Sequence, residues 1–497
     1  MTRVRVRELA GWLTALAIAL IVTGQVAASA RSELLFRDGD SLVVALFAQS
    51  WLAGDPSNWA MSSVLFLPET AVFAGLDAVL PFDVNGVLAA NAVVNLLSLY
   101  GALRFAAGRR RDDRAPVAWA LIAMAVFGAL AMTETSSSRD ALELASLLLT
   151  TTYYSATVIG VVLTIGVIRR FVVHEHHGAG QLIALALIAA VSTLSNPLFA
   201  VWATVPLTAV LGALALRSTA RSRMLLPLVV LIGGTALGFI GRIPFAAWIA
   251  NTGAGYAQPE RWAESIGYYA GLLADRLSTP LGLAGTLLTA ALLVVAIVRS
   301  ARSRDPSERL VALAAWVIPV LVVLGAVALG THAARYLQPL SFAPVLALVA
   351  APRAFAIPRP RPLIAIGMVV LLAASALSIP RLASAVHTPD AALTCVTDWV
   401  DASGRTGAGQ FWTVRLPKLH LADPSQLVQV DHRVNGYAWL VNRTDFDVGA
   451  VSFLIEDAQT VAWQLPLDAM PDDIIECGRY RIVDFGSAPL PLGQPHS

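Results

Sequence analysis

Two acids one residue apart, Asp38-Gly39-Asp40, follow closely on the first apolar run of membrane-spanning length, residues 12–28. Arg3, Arg5 and Arg7 precede that run. Basic residues are retained on the cytoplasmic side, so the two carboxylates are expected on the outer face. Carboxylates held at a membrane boundary are costly, and they suit acid–base work or the binding of a metal ion. A plainer reading makes residues 37–40 a turn and Asp40 the N-cap of a helix that begins at Ser41. Position favours the catalytic reading, because the pair stands where a first membrane helix leaves the bilayer.

A second group lies far along the chain, in Thr331-His332-Ala333-Ala334-Arg335-Tyr336-Leu337-Gln338-Pro339. An arginine between a histidine and a tyrosine at the end of a span can hold a phosphate through charge-assisted hydrogen bonds. The competing reading is an arginine that snorkels from an aromatic belt. Arg242 is a second candidate of the same kind, with snorkelling favoured. Tyr256, Trp262, Tyr268 and Tyr269 suit either an acceptor surface or an interface belt. His174-Glu175-His176-His177 lacks the spacing of a zinc helix and reads better as a solvated loop.

The elements that must position these residues are apolar. The chain is 57% hydrophobic and 14% charged, with a mean hydropathy of +0.67, which excludes an ordinary soluble protein. A net charge of +2 points to no nucleic-acid partner. Eleven apolar runs are expected to span, at 12–28, 84–105, 116–132, 147–168, 182–194, 198–216, 225–245, 283–298, 310–329, 340–351 and 363–379. With the N-terminus inside, the cytoplasmic connections carry about twenty arginines and the outward ones about seven, as the positive-inside rule requires. The small residues at 27–30 resemble a cleavage site, but an uncleaved first helix is the preferred reading. The first outer loop, residues 30–83, is expected to hold two interfacial amphipathic helices, at 40–54 and 64–82. Ser195-Asn196-Pro197 should separate two short helices.

From residue 380 the composition turns polar and no further span occurs. Strands are expected at 411–416, 427–430, 451–455 and 480–485, and a helix at 391–400. An odd number of spans puts this region outside. It contains the chain's only cysteines, Cys395 and Cys477, and an oxidising compartment favours their pairing over free thiols. No nucleotide-binding loop is present, so any chemistry must use a substrate already activated in the lipid. The domains expected are therefore a membrane domain at 1–379 and a small soluble α/β domain at 380–497.

Taken together, the acidic pair after the first span, the Arg335-Tyr336-Leu337-Gln338-Pro339 segment and the polytopic layout resemble the GT-C superfamily of integral-membrane glycosyltransferases. The resemblance implies an all-α membrane domain of about eleven helices with a small extracytoplasmic C-terminal domain. It implies transfer of a hexosyl or pentosyl group from a polyprenyl-phosphate donor to a glycan, lipid or protein acceptor, on the outer face of a bacterial cytoplasmic membrane. Asp38 or Asp40 would be the general base, or the ligand of a divalent Mg or Mn ion. Arg335, with Tyr336, His332 and Arg242, would hold the donor. The alternative class is a non-enzymatic envelope protein, a transporter or an assembly scaffold. The lack of internal repeats and the scarcity of charge within the spans argue against transport.

Overall fold

The computed structural model describes residues 3–55, 57–109, 114–173, 178–217, 221–354, 361–466, 469–486 and 488–497. The histidine-rich stretch 174–177 lies outside them. The chain divides into two compact units, one of Met1–Ser32, Ala89–Pro244 and Ala254–Ala385, the other of Glu33–Leu88, Phe245–Gly253 and Val386–Ser497.

In the first unit, uninterrupted apolar sequence with few helix breakers gives long helices. Among the described residues seven helices are long and apolar enough to cross a membrane: Arg5–Ala27, Val84–Ala106, Ser155–Val173, Ser222–Phe245, Pro280–Arg302, Pro306–Ala328 and Ile366–Val386. Pro116–Met132, Ala179–Ser195 and Ala200–Leu216 are shorter and equally apolar. The protein is thus a multi-pass membrane protein. Several starts are set by local chemistry. Pro280 and Pro306 open helices whose caps are the side chains of Thr279, accepting from Gly282 N, and Asp305, accepting from Ser307 N.

Three sequence expectations need correcting here. The run at 147–168 is not helical throughout: residues 146–149 form a short 3₁₀ turn and the long helix begins only at Ser155. Thr150-Thr151-Thr152 resists helix through its branched, hydrogen-bonding side chains. Asn95 fastens the resulting bend by donating to Leu148 O at 3.0 Å and Thr150 O at 3.3 Å. The run at 340–351 is broken into Pro339–Phe342 and Leu346–Ala350. Pro344 stands between the two pieces and lacks the N–H that would bond to Leu340 O, so this segment is not one continuous spanning helix. The last long helix passes straight through Pro380 and ends at Val386, so the change in composition at residue 380 precedes the structural one. Ser195-Asn196-Pro197 does separate two helices: Asn196 accepts from Leu198 N and donates to Thr157 Oγ1 at 2.9 Å.

The second unit is built on a seven-stranded mixed sheet. Its strands are β1 (Gly407–Gln410), β2 (Leu427–Val430), β3 (Asn435–Tyr437), β4 (Phe453–Glu456), β5 (Asp473–Cys477), β6 (Tyr480–Asp484) and β7 (Gly493–His496). They lie in the order β7-β3-β2-β1-β4-β6-β5. The central strand β1 runs parallel to both neighbours, which puts both of its edges inside and accounts for burial of the apolar pair Val428 and Leu454 on either side. Helix Ala391–Ser403 packs its Val396 and Val400 on Phe453, Ile455 and Ile482. Its Cys395 is disulfide-bonded to Cys477 at the end of the edge strand β5, with Cα atoms 5.5 Å apart.

The expected strand at 411–416 is instead part of a helix, Phe411–His420. It carries Arg415 and Lys418, three residues apart and both buried. Tertiary partners for those two cations override the strand-like alternation. Lys418 donates to Pro424 O, Leu427 O and Asp445 Oδ2 at 2.7, 2.7 and 2.9 Å. Burial pushes the Asp445 carboxyl up from its ordinary value, against the pull of Lys418.

The segment 33–88 belongs to this unit. Its helices, Val43–Leu52 and Leu67–Val79, lie within the intervals expected for a helix pair. Val43–Leu52 is not amphipathic, however: six consecutive residues from Val43 to Ala48 are buried. Phe47 stacks against Trp51, Trp59 and Trp248 with ring centroids 4.9–5.8 Å apart. Strand Trp59–Ala60 pairs with Val441–Asn442, and Asn442 Nδ2 donates to Asp55 Oδ2 at 2.8 Å.

Candidate active site

Asp38 and Asp40 belong to the second unit, whereas His332, Arg335, Tyr336 and Arg242 belong to the first. Each half is therefore built up by itself.

The acidic pair follows the short helix Ser32–Phe36, whose last turn closes with Asp38 N donating to Glu33 O at 2.8 Å. Asp38 is 7% exposed. Its Oδ2 accepts from Ser41 N at 3.2 Å and from Ser41 Oγ at 3.3 Å, which ties the carboxylate across the turn. The turn expected from the sequence is present, but its cap is Asp38: the residue before helix Val43–Leu52 is Leu42, and no side chain caps it. Asp40 is only half-buried.

Helix Phe411–His420 supplies the positive charge at this turn. Arg415 NH1 donates to Gly39 O at 3.2 Å. The same guanidinium donates to Gln429 Oε1 at 3.1 Å, Trp439 O at 2.9 Å and Leu440 O at 2.6 Å. It also lies 3.9 Å from the centre of the Phe411 ring. Burial pushes Arg415 down to about 10, and the charges of Asp40 and Asp38 oppose that shift. The side chain thus remains a cation at neutral pH. Gly39 lies close against this helix: a Cβ there would stand 3.2 Å from Trp412 Cε3 and 3.4 Å from Arg415 Cδ.

Arg415 is absent from the residues singled out in the sequence. A signal was nonetheless present, because an arginine and the chain's sole lysine three residues apart amid Phe, Trp, Val and Leu must be buried together or paired.

In the first unit, the 331–339 segment is held from its flanks. Tyr269 OH lies 2.7 Å from Thr331 Oγ1 and 3.3 Å from Ala333 O. Ser265 Oγ donates to Thr331 O at 2.7 Å, and Trp202 Nε1 donates to Tyr336 O at 3.2 Å. Tyr269 is buried, so it supports this segment and is no part of an exposed belt. Residues 334–337 form a 3₁₀ turn that carries Arg335 half-buried, with its guanidinium 5.7 Å from the Tyr336 ring. His332 packs on Tyr268, ring centroids 5.3 Å apart. Burial pushes the Tyr336 phenol up, so it acts as a neutral hydrogen-bonding group. Arg242 stands apart from these: it follows helix Ser222–Gly241 and donates to Leu194 O at 2.7 Å.

A cavity of about 300 Å³ opens beside this segment, lined among others by Leu337, Ser341, Tyr269, Thr289, Glu134 and Arg276. Sequence reasoning passed over its charged members. Glu134 accepts from Ala145 N at 2.8 Å and Ser146 N at 2.7 Å, and Arg276 lies 3.7 Å from it. Behind them, buried Arg31 donates to Ser146 Oγ, Ser136 O, Ser138 O and Glu143 O at 2.8–3.1 Å. These charges order the loop at 133–154 around a mostly apolar cavity that suits a ligand with a hydrocarbon portion.

No protein-family model matches the chain, and no curated protein matches it in sequence. The architecture itself is of a known class: the chain has the GT-C fold, so the resemblance drawn from the acidic pair and the layout of spans holds for the fold. The crystal structure of ArnT from Cupriavidus metallidurans in the apo state matches with a TM-score of 0.55 at 13% identity, over 96% of this chain and 98% of that one. The Archaeoglobus fulgidus oligosaccharyltransferase, in complex with Zn and sulfate, aligns with a TM-score of 0.46 at 12% identity, over 89% of this chain and 68% of that one.

Proposed function

We propose that this protein is a glycosyltransferase that moves a sugar from a polyprenyl-phosphate donor to an acceptor on the outer face of a bacterial cytoplasmic membrane. The observation that carries the reading is the acidic turn after the first apolar helix, in which Asp38 is anchored, Asp40 is accessible and a buried cation sits at the carbonyl between them. We assign the base to Asp40, the more accessible of the two carboxylates. Its carboxylate takes the proton of the acceptor hydroxyl as that oxygen attacks the anomeric carbon. The bond from the sugar to the lipid phosphate breaks, and the charge gathering on the phosphate is met by Arg335. Tyr336 is the neutral group beside it, and His332 is a further candidate for donor binding.

Among the described residues no group of three or more His, Cys, Asp or Glu side chains could together hold a metal ion. Asp38 and Asp40 offer only two carboxylates, so Mg or Mn bound there would complete its shell from water and substrate phosphate. Such an ion would supply Lewis-acid stabilisation of the leaving phosphate. The proton transfer assigned to Asp40 does not depend on it.

Arg335→Ala should raise the donor concentration needed for half-maximal rate by about tenfold or more, the size of one charged hydrogen bond. The check is transfer measured against added lipid-linked donor in detergent, and an unchanged requirement would take the phosphate role away from Arg335. The placement of the C-terminal unit is tested by reporter fusions after Arg114 and after Ser497. They should report opposite sides of the membrane, and finding both on one side would refute the N-terminus-in topology. The scaffold reading predicts that asparagine at both Asp38 and Asp40 restores the glycan or glycolipid of a deletion strain in full.

A further inference from the structure

We infer that Arg415 is a positioning residue for the acidic turn, its buried guanidinium holding the Gly39 carbonyl and keeping a positive charge beside Asp38 and Asp40. The inference rests on the catalytic reading of those two aspartates and adds to it a residue almost four hundred positions away in sequence. Four acceptors surround the guanidinium, and three of them, Gln429, Trp439 O and Leu440 O, lie close to one another in the chain. Those three fix the side chain in place. The fourth, Gly39 O, is contributed by the acidic turn.

That carbonyl belongs to the peptide unit joining Gly39 to Asp40, so holding it sets the direction in which the Asp40 side chain leaves the backbone. The turn also lies flush on helix Phe411–His420, as the close fit of Gly39 against Trp412 and Arg415 requires. Two carboxylates separated by one residue oppose each other's ionisation. A fixed cation within the same packed region offsets that opposition, and here it is an arginine whose planar fork reaches four acceptors at once. A merely structural arginine would need only the three local acceptors. The fourth bond, and the closeness of both acids, are what assign it to the site.

The test uses the full chain in membrane vesicles from a source-organism strain that lacks the gene, so that native donor and acceptor are present. Product is followed by mass spectrometry of extracted glycans and glycolipids across pH. Arg415→Gln keeps part of the hydrogen-bonding capacity and removes the charge. Transfer per folded molecule should fall about tenfold at neutral pH, and the acid limb of the rate profile should move up by about one pH unit, because an uncompensated carboxylate holds its proton to higher pH. Arg415→Lys restores the charge without the fork, so the limb should return while part of the rate loss remains.

Loss of rate in both variants with an unmoved acid limb, or wild-type transfer by Arg415→Gln at every pH, overturns the inference. Should both Arg415 variants fail to fold, Gly39→Ala decides the matter. Its methyl group presses on Trp412 and on Arg415 Cδ and loosens the contact between turn and arginine while the charge is kept, so a folded protein with transfer reduced several-fold supports the positioning role and an unchanged rate refutes it. Asp40→Asn is measured alongside. Full activity there would remove the catalytic reading itself, whereas loss there with unimpaired Arg415→Gln would remove the positioning role alone.

Discussion

Asparagine in place of Asp40 is expected to lower sugar transfer by about a hundredfold or more while leaving the protein folded. The substitution keeps the shape and size of a half-buried side chain and deletes its capacity to take a proton. Asp38→Asn should act differently. Its amide can still receive the two bonds from Ser41 through the side-chain oxygen, so the turn survives, but a negative charge beside Arg415 is lost. The deficit at Asp38 should therefore be smaller than at Asp40. Complementation of a deletion strain, read as the recovered glycan or glycolipid, ranks the two variants. Equal and full recovery by both would leave the acids as turn-formers and the protein as a scaffold.

The second large effect concerns the bond between Cys395 and Cys477. The cysteines are 82 residues apart, and closing a loop of that length removes much of the freedom of the unfolded chain. Loop-closure entropy puts the resulting stabilisation at about 4 kcal/mol, a sizeable part of what holds a typical domain together. The bond joins helix Ala391–Ser403 to the outermost strand β5, which otherwise pairs with β6 alone. Serine at both positions should lower the urea midpoint for proteolysis of residues 387–497 in the full chain, and added reductant should do the same to the parent protein. A midpoint insensitive to both would show that the core around Val396, Phe453 and Ile482 suffices.

Much of the fold could be read from periodicity alone, because a helix that crosses a membrane writes itself as one long apolar run. Residues 116–132 are an example in which expected and observed limits coincide. The failures have a common cause. At 147–168 and 340–351, hydropathy is blind to a triple threonine and to a proline, which control backbone hydrogen bonding and leave mean polarity unchanged. At 411–416, alternation in six residues was outweighed by partners far off in sequence. The site was legible in the same uneven way. Asp38, Asp40 and Arg335 stood out because each lies next to a span, where a charge is conspicuous. Arg415 and Arg276 did not, since a charge in polar sequence attracts no notice until the fold shows what it touches, and Glu134 was passed over although it stands two residues beyond the run at 116–132.

Lys418 gives the chain an unplanned reporter. It is the sole lysine of the sequence, and its ammonium is enclosed by two carbonyls and Asp445. A lysine-specific protease accordingly finds no site on the native protein and a single one once the helix at 411–420 comes apart. That scissile position falls between the two half-cystines, so the cut chain stays in one piece until a thiol is added. Opening of this unit can thus be scored on a gel as molecules that separate only after reduction, with no label and no engineered residue.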